Sequence, residues 1–141
     1  MKYLGIDYGE KRVGIALSDD GGRVAMPSLI LDNSETLLAE VKELCREMKI
    51  GTVVMGLSLD SSGKENPIMK KAKSFAIVLE KNTKTPVVFE KEWFSTVEAR
   101  RAPGAKAQVD DAAAALVLQR YLDRLNKVTA EPGPELEDNE D

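Results

Sequence analysis

Four acidic side chains of this chain stand where chemistry could use them. Asp7 closes a short apolar run directly before a turn, so its carboxylate carries a desolvation cost unless something binds it. Glu92 follows a second apolar run, and Asp110 and Asp111 precede an alanine-rich helical pattern. Acids that converge on one edge repel one another unless cations neutralise them, for example two divalent ions bridged by a shared carboxylate. The residues therefore predict a cation site.

The composition narrows the metal and the reaction. The chain has no histidine and one cysteine, Cys45, which excludes a zinc site, an imidazole general base and a histidine-activated nucleophile. Carboxylate oxygens are ligands that suit Mg²⁺ or Mn²⁺. Two such ions about 4 Å apart can activate water and stabilise the leaving oxygen of a phosphodiester. Phosphodiester hydrolysis with Mg²⁺ or Mn²⁺ as the cofactor thus fits the residues that this chain has.

Three of these acids also have an ordinary structural interpretation. An aspartate before an alanine-rich helix commonly caps it or complements its dipole, and both Asp110 and Asp111 fit that role. Glu92, in the run Glu90-Lys91-Glu92, fits a solvated loop charge. Helical periodicity does not separate Asp110 from Asp111, because an apolar row that faces the core follows each of them.

Hydrophobic periodicity predicts the elements that must position these acids. Alternating residues and turn residues indicate strands over residues 2–7, 12–18 and 24–31. Short buried strands are predicted over residues 52–55 and 86–89, and helices over residues 34–49, 66–80 and 110–127. Asn33 is the predicted N-cap of the first helix, residues 57–65 a polar loop, and Ser95 the start of a short extra helix.

The order of these elements predicts an α/β fold. The order is βββαβαβα, which gives a mixed five-stranded sheet of three antiparallel strands followed by parallel ones, flanked by helices. In such sheets the ligand site lies beyond the carboxyl ends of the parallel strands. We therefore expect the strand ends near Asp7, Gly56 and Glu92 to lie side by side.

Length and charge predict one domain with an acidic tail. The chain has 141 residues and a net charge of −4. Residues 131–141 hold six acids and no base, which leaves 20 basic and 18 acidic residues, a net charge of +2, elsewhere. We expect a domain over residues 1–128 and a disordered acidic tail over residues 129–141. The near-neutral body neither requires nor excludes a polyanionic substrate.

The same composition predicts a cytoplasmic protein. No apolar run approaches the roughly 18 residues of a membrane span, and the N-terminus lacks the basic and apolar pattern of a secretory signal. Cys45 cannot form an internal disulfide, and its place in the predicted helix makes it a core residue rather than a reactive thiol.

Four segments, in order, resemble the signatures of the RuvX family, also called YqgF. They are GIDYGEKRVGIALSD (Gly5–Asp19), VVMGLSLDSSGKENP (Val53–Pro67), STVEAR (Ser95–Arg100) and VDDAAAALVLQRYLD (Val109–Asp123). The resemblance spans about residues 2–125. It implies a ribonuclease H-like fold and a metal-dependent nuclease. The implied partner is nucleic acid, either Holliday-junction-like DNA or the 5′ end of precursor 16S rRNA. We expect the protein to act as a monomer or homodimer and to have no membrane partner.

The resemblance also implies a role for particular acids. Asp7, Glu92 and Asp110 match the three acids of the family and would be the catalytic, metal-binding carboxylates. It favours Asp110 over Asp111, which periodicity could not.

Substrate contacts are implied in the same way. The loop from Ser58 to Glu65, with Lys64, would border the site, and Lys11 and Arg12 would bind phosphates. A solvated pair at a hairpin tip is the alternative for Lys11 and Arg12.

Two other functions stay open at this stage. Lys91, Trp93 and Phe94 stand where the family commonly has aspartate, arginine and leucine, so a non-catalytic nucleic-acid-binding protein with a degenerate metal site is the alternative. The first motif alone also resembles actin-like and sugar-kinase ATPases. Those enzymes clamp nucleotide between two similar domains, and this chain has room for one.

Overall fold

A computed structural model of the chain describes residues 1–93 and 111–130. The strands are β1 (Lys2–Tyr8), β2 (Arg12–Ser18), β3 (Ala25–Asp32), β4 (Ile50–Leu59) and β5 (Val87–Trp93). The helices are α1 (Leu37–Glu47), α2 (Ile68–Thr83) and α3 (Asp111–Ala130). The order along the chain is β1, β2, β3, α1, β4, α2, β5 and α3, which confirms the predicted βββαβαβα.

The five strands form one mixed sheet in the order β3-β2-β1-β4-β5. The pairs β1–β2 and β2–β3 are antiparallel, whereas β1–β4 and β4–β5 are parallel. The carboxyl ends of β1, β4 and β5 therefore lie side by side at one edge, as predicted. We call this the carboxyl edge of the sheet.

Side-chain alternation divides the core between the two faces of the sheet. One face, which includes Leu4 and Ile6 of β1, packs on α1 and α2. The other face, which includes Tyr3 of β1 and Val54 of β4, packs on α3. Within residues 1–93 and 111–130, the sheet is thus a middle layer with two helices on one side and one on the other.

Helix α3 approaches the sheet closely at a glycine. A Cβ at Gly5 would lie 2.9 Å from the Cβ of Leu118 and 3.0 Å from the carbonyl oxygen of Ala114. At the far edge strand, the side-chain amide of Gln119 accepts a hydrogen bond from the Ala25 N–H and donates one to the carbonyl of Arg23, each 2.8 Å long. These contacts fix the helix along the sheet.

Strands β4 and β5 run further than predicted. The predicted loop over residues 57–65 was wrong at its start, because Leu57, Ser58 and Leu59 extend β4. Likewise β5 continues to Trp93, so Glu92 lies within a strand. The two strands pair in parallel from Val53 with Val87 to Leu59 with Trp93, and this ladder supplies backbone partners that a local polarity pattern does not show.

The prediction of Asn33 as an N-cap was also wrong. Helix α1 begins three residues later, with Thr36 at the N-cap position. The side-chain amide of Asn33 instead donates a 2.8 Å hydrogen bond to the carbonyl of Gly9, which ties the end of β3 to the turn between β1 and β2. A contact across 24 residues has replaced the local capping interaction.

Several other expectations can be placed against the structure. Cys45 is buried, and burial raises the pKa of its thiol to about 11, in agreement with a core role. Within residues 1–93 and 111–130, no helix is both long and apolar enough to cross a membrane. The short helix at Ser95, the acid Asp110 and residues 131–141 of the predicted tail lie outside the described residues.

The close approach at Gly5 predicts a specific loss of stability. Gly5→Ala should destabilise the protein by about 1–3 kcal/mol, because the added methyl group meets Leu118 and a rigid helix carbonyl. Urea unfolding measures the change. Gly21→Ala is the matched control, since its Cβ would meet nothing closer than an Asp19 carboxylate oxygen at 3.6 Å, and we expect a change within about 0.5 kcal/mol. Equal losses in both variants would contradict the packing argument.

Candidate acidic active site

The α3 face of the carboxyl edge carries Asp7, Gly56 and Glu92. Alternation places Asp7 on the same face as Gly5, which α3 covers. In the β1–β4 ladder Ile6 pairs with Met55, so the next step along both strands brings Asp7 beside Gly56. Both acids are half-buried.

The side chain of Glu92 reaches across β4 towards β1. Glu92 pairs with Ser58 in the β4–β5 ladder, yet a Cβ at Gly56 would lie only 2.7 Å from Glu92 Oε1. The absence of a side chain at residue 56 therefore gives the carboxylate its place. Since the strand register makes Gly56 the neighbour of Asp7, the missing side chain lets the Glu92 carboxylate extend towards the strand that carries Asp7.

The surroundings of Glu92 disfavour its charge. Burial beneath α3 raises the pKa of the Glu92 carboxyl group, and the positive charge of Arg120 opposes this with a smaller lowering effect. Val117 of α3 lies on the same spot, 3.4 Å from where a Cβ of Gly56 would be. A cation bound here would favour the ionised carboxylate and remove part of that cost.

Two arginines of α3 face two glutamates of β5. The side chain of Arg124 forms an ion pair with Glu90, whose side chain is only 12% exposed. One helical turn earlier, Arg120 interacts with Glu92, two residues later on the strand. The spacing matches, because i, i+4 on a helix and i, i+2 on a strand each place neighbours on one face. Neither arginine was predicted from the sequence, although the four-residue spacing of the arginines and the two-residue spacing of the glutamates are both visible there.

The same pairing orients α3. Because Arg120 lies near Glu92 and Arg124 near Glu90, the helix runs antiparallel to β5, and its N-terminus lies at the carboxyl edge. Asp111 is the first residue of α3 and is half-buried. The predicted third acid, Asp110, lies outside the described residues.

The predicted phosphate contacts lie at the same edge. Lys11 and Arg12 are exposed at the turn between β1 and β2, directly after the end of β1. Arg12 shares the face of Asp7 by alternation, because Asp7 pairs with Gly14. Arg12 is therefore placed to meet a phosphodiester that lies over the acids, and Lys11 is its exposed neighbour in the turn.

The loop after β4 is held by one acid. One carboxylate oxygen of Asp60 accepts hydrogen bonds from the N–H and hydroxyl of Ser62 and the N–H of Lys64, at 2.7 to 2.9 Å. The Ser62 hydroxyl and the Lys64 N–H lower the pKa of Asp60. Lys64 is exposed at the base of this turn, just past the carboxyl end of β4.

Ser58 lies on β4 and is engaged by the start of α2. Its hydroxyl accepts a 2.8 Å hydrogen bond from the side-chain amide of Asn66, and its carbonyl accepts one of 2.9 Å from the Asn66 N–H. The hydroxyl keeps its own proton to donate to a substrate.

Lys91 lies on the opposite face of the sheet from Glu92. Lys91 is two residues after Phe89 on β5, and Phe89 packs with α1 and α2. The side chain of Lys91 is exposed. Alternation therefore directs the ammonium group away from the face on which the two acids converge.

The donor set can be tested for its fit to a metal ion. Asp7 and Glu92 offer carboxylate oxygens only, and such ligands suit Mg²⁺ or Mn²⁺ better than zinc. Across the described parts of the chain, no group of three or more acidic, cysteine or histidine side chains forms a complete metal site. A metal ion held by Asp7 and Glu92 would therefore need a further ligand.

Comparison with known proteins gives a consistent family and fold. The family model described as RuvX, Holliday junction resolvase, matches residues 1–124. A relative from Anaeromyxobacter sp. (strain Fw109-5), whose assigned name is pre-16S rRNA nuclease, is 39% identical, and the alignment covers 87% of this chain and 97% of the relative. One from Lactiplantibacillus plantarum with the same assigned name is 35% identical over 93% of this chain and 100% of the relative.

Solved structures share the fold at low sequence identity. The RuvC protein of T. thermophilus, solved in complex with a Holliday junction substrate, matches with a TM-score of 0.61 and 16% identity, over 94% of this chain and 99% of that one. The fowlpox virus resolvase, solved with Holliday junction DNA, matches with a TM-score of 0.54 and 13% identity, over 89% and 99%. The fold is therefore that of the RuvC-like, ribonuclease H-like nucleases, as the resemblance implied.

The raised pKa of Glu92 predicts how stability depends on pH. Between the ordinary glutamate pKa and the raised folded value, the unfolded chain releases this proton before the folded protein does. The wild-type protein should therefore lose stability as pH rises through that interval. Glu92→Gln should remove this loss and be at least as stable as wild type at pH 7. Urea unfolding from pH 4 to 8 in EDTA measures both. A large destabilisation of Glu92→Gln at pH 7 would make Glu92 a structural residue.

Proposed function

This chain belongs to the RuvX family, described as Holliday junction resolvase, and on that basis we propose that it is a divalent-metal-dependent nuclease that cleaves structured nucleic acid. The names of its relatives and of its structural neighbours support nuclease as the class of activity. The observation that carries the proposal is that the Glu92 carboxylate lies over Gly56, the residue of β4 that follows the Ile6–Met55 pair and therefore neighbours Asp7, at the edge where parallel sheets bind ligands.

The residues divide the work at this edge. Asp7 and Glu92, with Asp110, would hold Mg²⁺ or Mn²⁺. When bound, the ions activate water and neutralise the charge that develops on the leaving oxygen. Lys11 and Arg12 bind the flanking phosphates, and Lys64 does so from the other side of the edge. The packing of α3 over Glu92 excludes water from one side of the carboxylate.

We favour the 5′ end of precursor 16S rRNA over Holliday-junction DNA as the substrate. Relatives with 35–39% identity over most of their length carry the pre-16S rRNA name, whereas the junction-bound neighbours share only 13–16% identity. A cytoplasmic location fits such a substrate. Trimming of one strand needs only a monomer, whereas symmetric cleavage of a junction needs a homodimer with two sites. Light scattering with each substrate therefore measures the oligomeric state alongside the cleavage assay.

The alternative is a non-catalytic nucleic-acid-binding protein. The departures at Lys91, Trp93 and Phe94 favour it. The exposed position of Lys91 on the opposite face weakens this alternative, because the lysine is not placed to pair with Glu92.

Substitution of Asp7 tests the proposed function. Asp7→Asn should reduce cleavage by more than about 100-fold, since even the outer partners of metal ligands are worth 10–100-fold. The substrates are a labelled precursor 16S 5′ segment and a synthetic four-way junction, each with Mn²⁺, Mg²⁺ or EDTA. Saturating Mn²⁺ should raise the Tm of the wild-type protein and not of the variant, because only an intact site binds the ion.

A matched control comes from the opposite edge of the sheet. Asp20 is an exposed acid there, 3.5 Å from the ammonium group of Lys2. Asp20→Asn should cleave like wild type. Metal-dependent cleavage that persists in Asp7→Asn would overturn the site, and binding without cleavage by the wild-type protein would favour the non-catalytic alternative.

Gly56 allows function to be separated from stability. In Gly56→Ala the new methyl group would lie 2.7 Å from the Glu92 carboxylate, which can swing away because it is the end of a flexible side chain. We expect a change in unfolding free energy of less than about 1.5 kcal/mol and a loss of cleavage of at least about 10-fold. Urea unfolding and the cleavage assay measure the two effects. Full activity in this variant would show that the position of Glu92 over Gly56 is not used.

A further inference from the structure

We propose that an open groove beside the acidic site is a nucleotide subsite, which binds the strand that flanks the scissile phosphate. We call it the Tyr8 groove, and this inference rests on the proposed nuclease function. The groove has a volume of about 390 Å³ and is lined by Tyr8, Lys70, Lys71, Ser74, Phe75 and Val78. That volume lies within the range of small-ligand pockets.

The groove begins one residue after the first catalytic acid. Tyr8 follows Asp7 at the end of β1, so alternation places its ring on the α2 face of the carboxyl edge. The ring lies against Phe75 of α2, with centroids 5.4 Å apart and planes inclined at 40°. A strand whose phosphate lies at Asp7 can therefore cross the edge and place its next base at Tyr8.

The rim of the groove is positively charged. Lys70 and Lys71 are exposed in the first turn of α2, a turn that has no acidic residue. The positive end of the helix dipole adds to these two charges. In the described part of the chain Lys70 has no ion-pair partner, whereas Lys71 pairs with Glu10 at 2.9 Å. Both side chains of that pair are more than 60% exposed, so a phosphate can replace Glu10 at little cost.

These features select a nucleic-acid strand as the occupant. The aromatic pair and Val78, which is 42% exposed, would also suit an apolar peptide. An apolar peptide would give Lys70 and Lys71 no anionic group to bind, whereas a nucleotide uses both the lysines and the rings. Its phosphate binds the lysines, and its base stacks on the aromatic rings. Because Tyr8 is adjacent to Asp7, a nucleic-acid strand whose phosphate lies at Asp7 would also pass the groove.

The test is binding without cleavage. Fluorescence anisotropy in EDTA, with the otherwise full-length Asp7→Asn protein, gives the Kd for single-stranded RNA and DNA of about 12 nucleotides. Lys70→Ala should raise the Kd at least 3-fold and reduce the slope of log Kd against log salt by about 0.7, the value of one phosphate contact on a single strand. Lys81→Ala is the matched control, an exposed lysine in the last turn of α2, and should change neither.

Cross-linking tests the aromatic part. Irradiation of bound RNA that carries 5-iodouridine should attach it to Tyr8 or Phe75, as located by mass spectrometry of the peptides. Tyr8→Phe, which keeps the ring, should keep the affinity, whereas Tyr8→Leu should weaken it. Should Tyr8→Leu fail to fold, the cross-link in the wild-type sequence still decides the point.

The outcomes separate this inference from the proposed function. Two results together would overturn the subsite: Lys70→Ala has the same Kd and salt slope as Lys81→Ala, and no cross-link forms at Tyr8 or Phe75. A protein partner would then be the occupant to test. Both results are independent of whether Asp7→Asn abolishes cleavage. Cleavage that survives Asp7→Asn would overturn the acidic site, whatever Lys70→Ala does to binding.

Discussion

The packing of α3 on the sheet is the contact on which the rest of this structure depends. Gly5 lets the helix backbone approach β1 to within a distance that any side chain would prevent. The Glu90–Arg124 ion pair fixes the direction of the helix along β5. Together these contacts place the helix N-terminus at the edge where Asp7 and Glu92 converge. The same helix buries Glu92, so the packing that builds the domain also sets the electrostatics of its site.

The burial of Glu92 lowers the stability of the folded protein when this carboxyl group is ionised. A glutamate with a pKa raised by burial is a poor structural residue, because its ionised form is disfavoured in the folded protein. A bound cation would reverse this balance, since it would neutralise the charge that burial opposes. Gly56 has a similar effect. A larger residue would cover more of the strand surface, but it would displace the Glu92 carboxylate from its position over residue 56.

The alternation of β1 gives the carboxyl edge two chemistries. Asp7 faces α3 and the acids, whereas Tyr8 faces α2, its aromatic partner Phe75 and the lysines of the groove. Under the proposed function, successive residues of one strand would contact the reacting phosphate and the flanking nucleotide. A nucleic-acid strand is long enough to use both faces, because it can cross the edge of the sheet.

The sequence by itself determined the order of elements, the parallel edge and the lack of imidazole ligands, because alternation, helical spacing and the lack of histidine are local or compositional properties. Asp7 became a candidate site residue in the same way, since a carboxylate between an apolar run and a glycine turn is unusual wherever the chain folds. Only the tertiary structure decided that Glu92 lies within β5 and over Gly56, and that Asn33 binds Gly9 instead of capping α1. Those outcomes depend on hydrogen-bond partners and open space supplied by residues distant in the chain, which no local pattern contains.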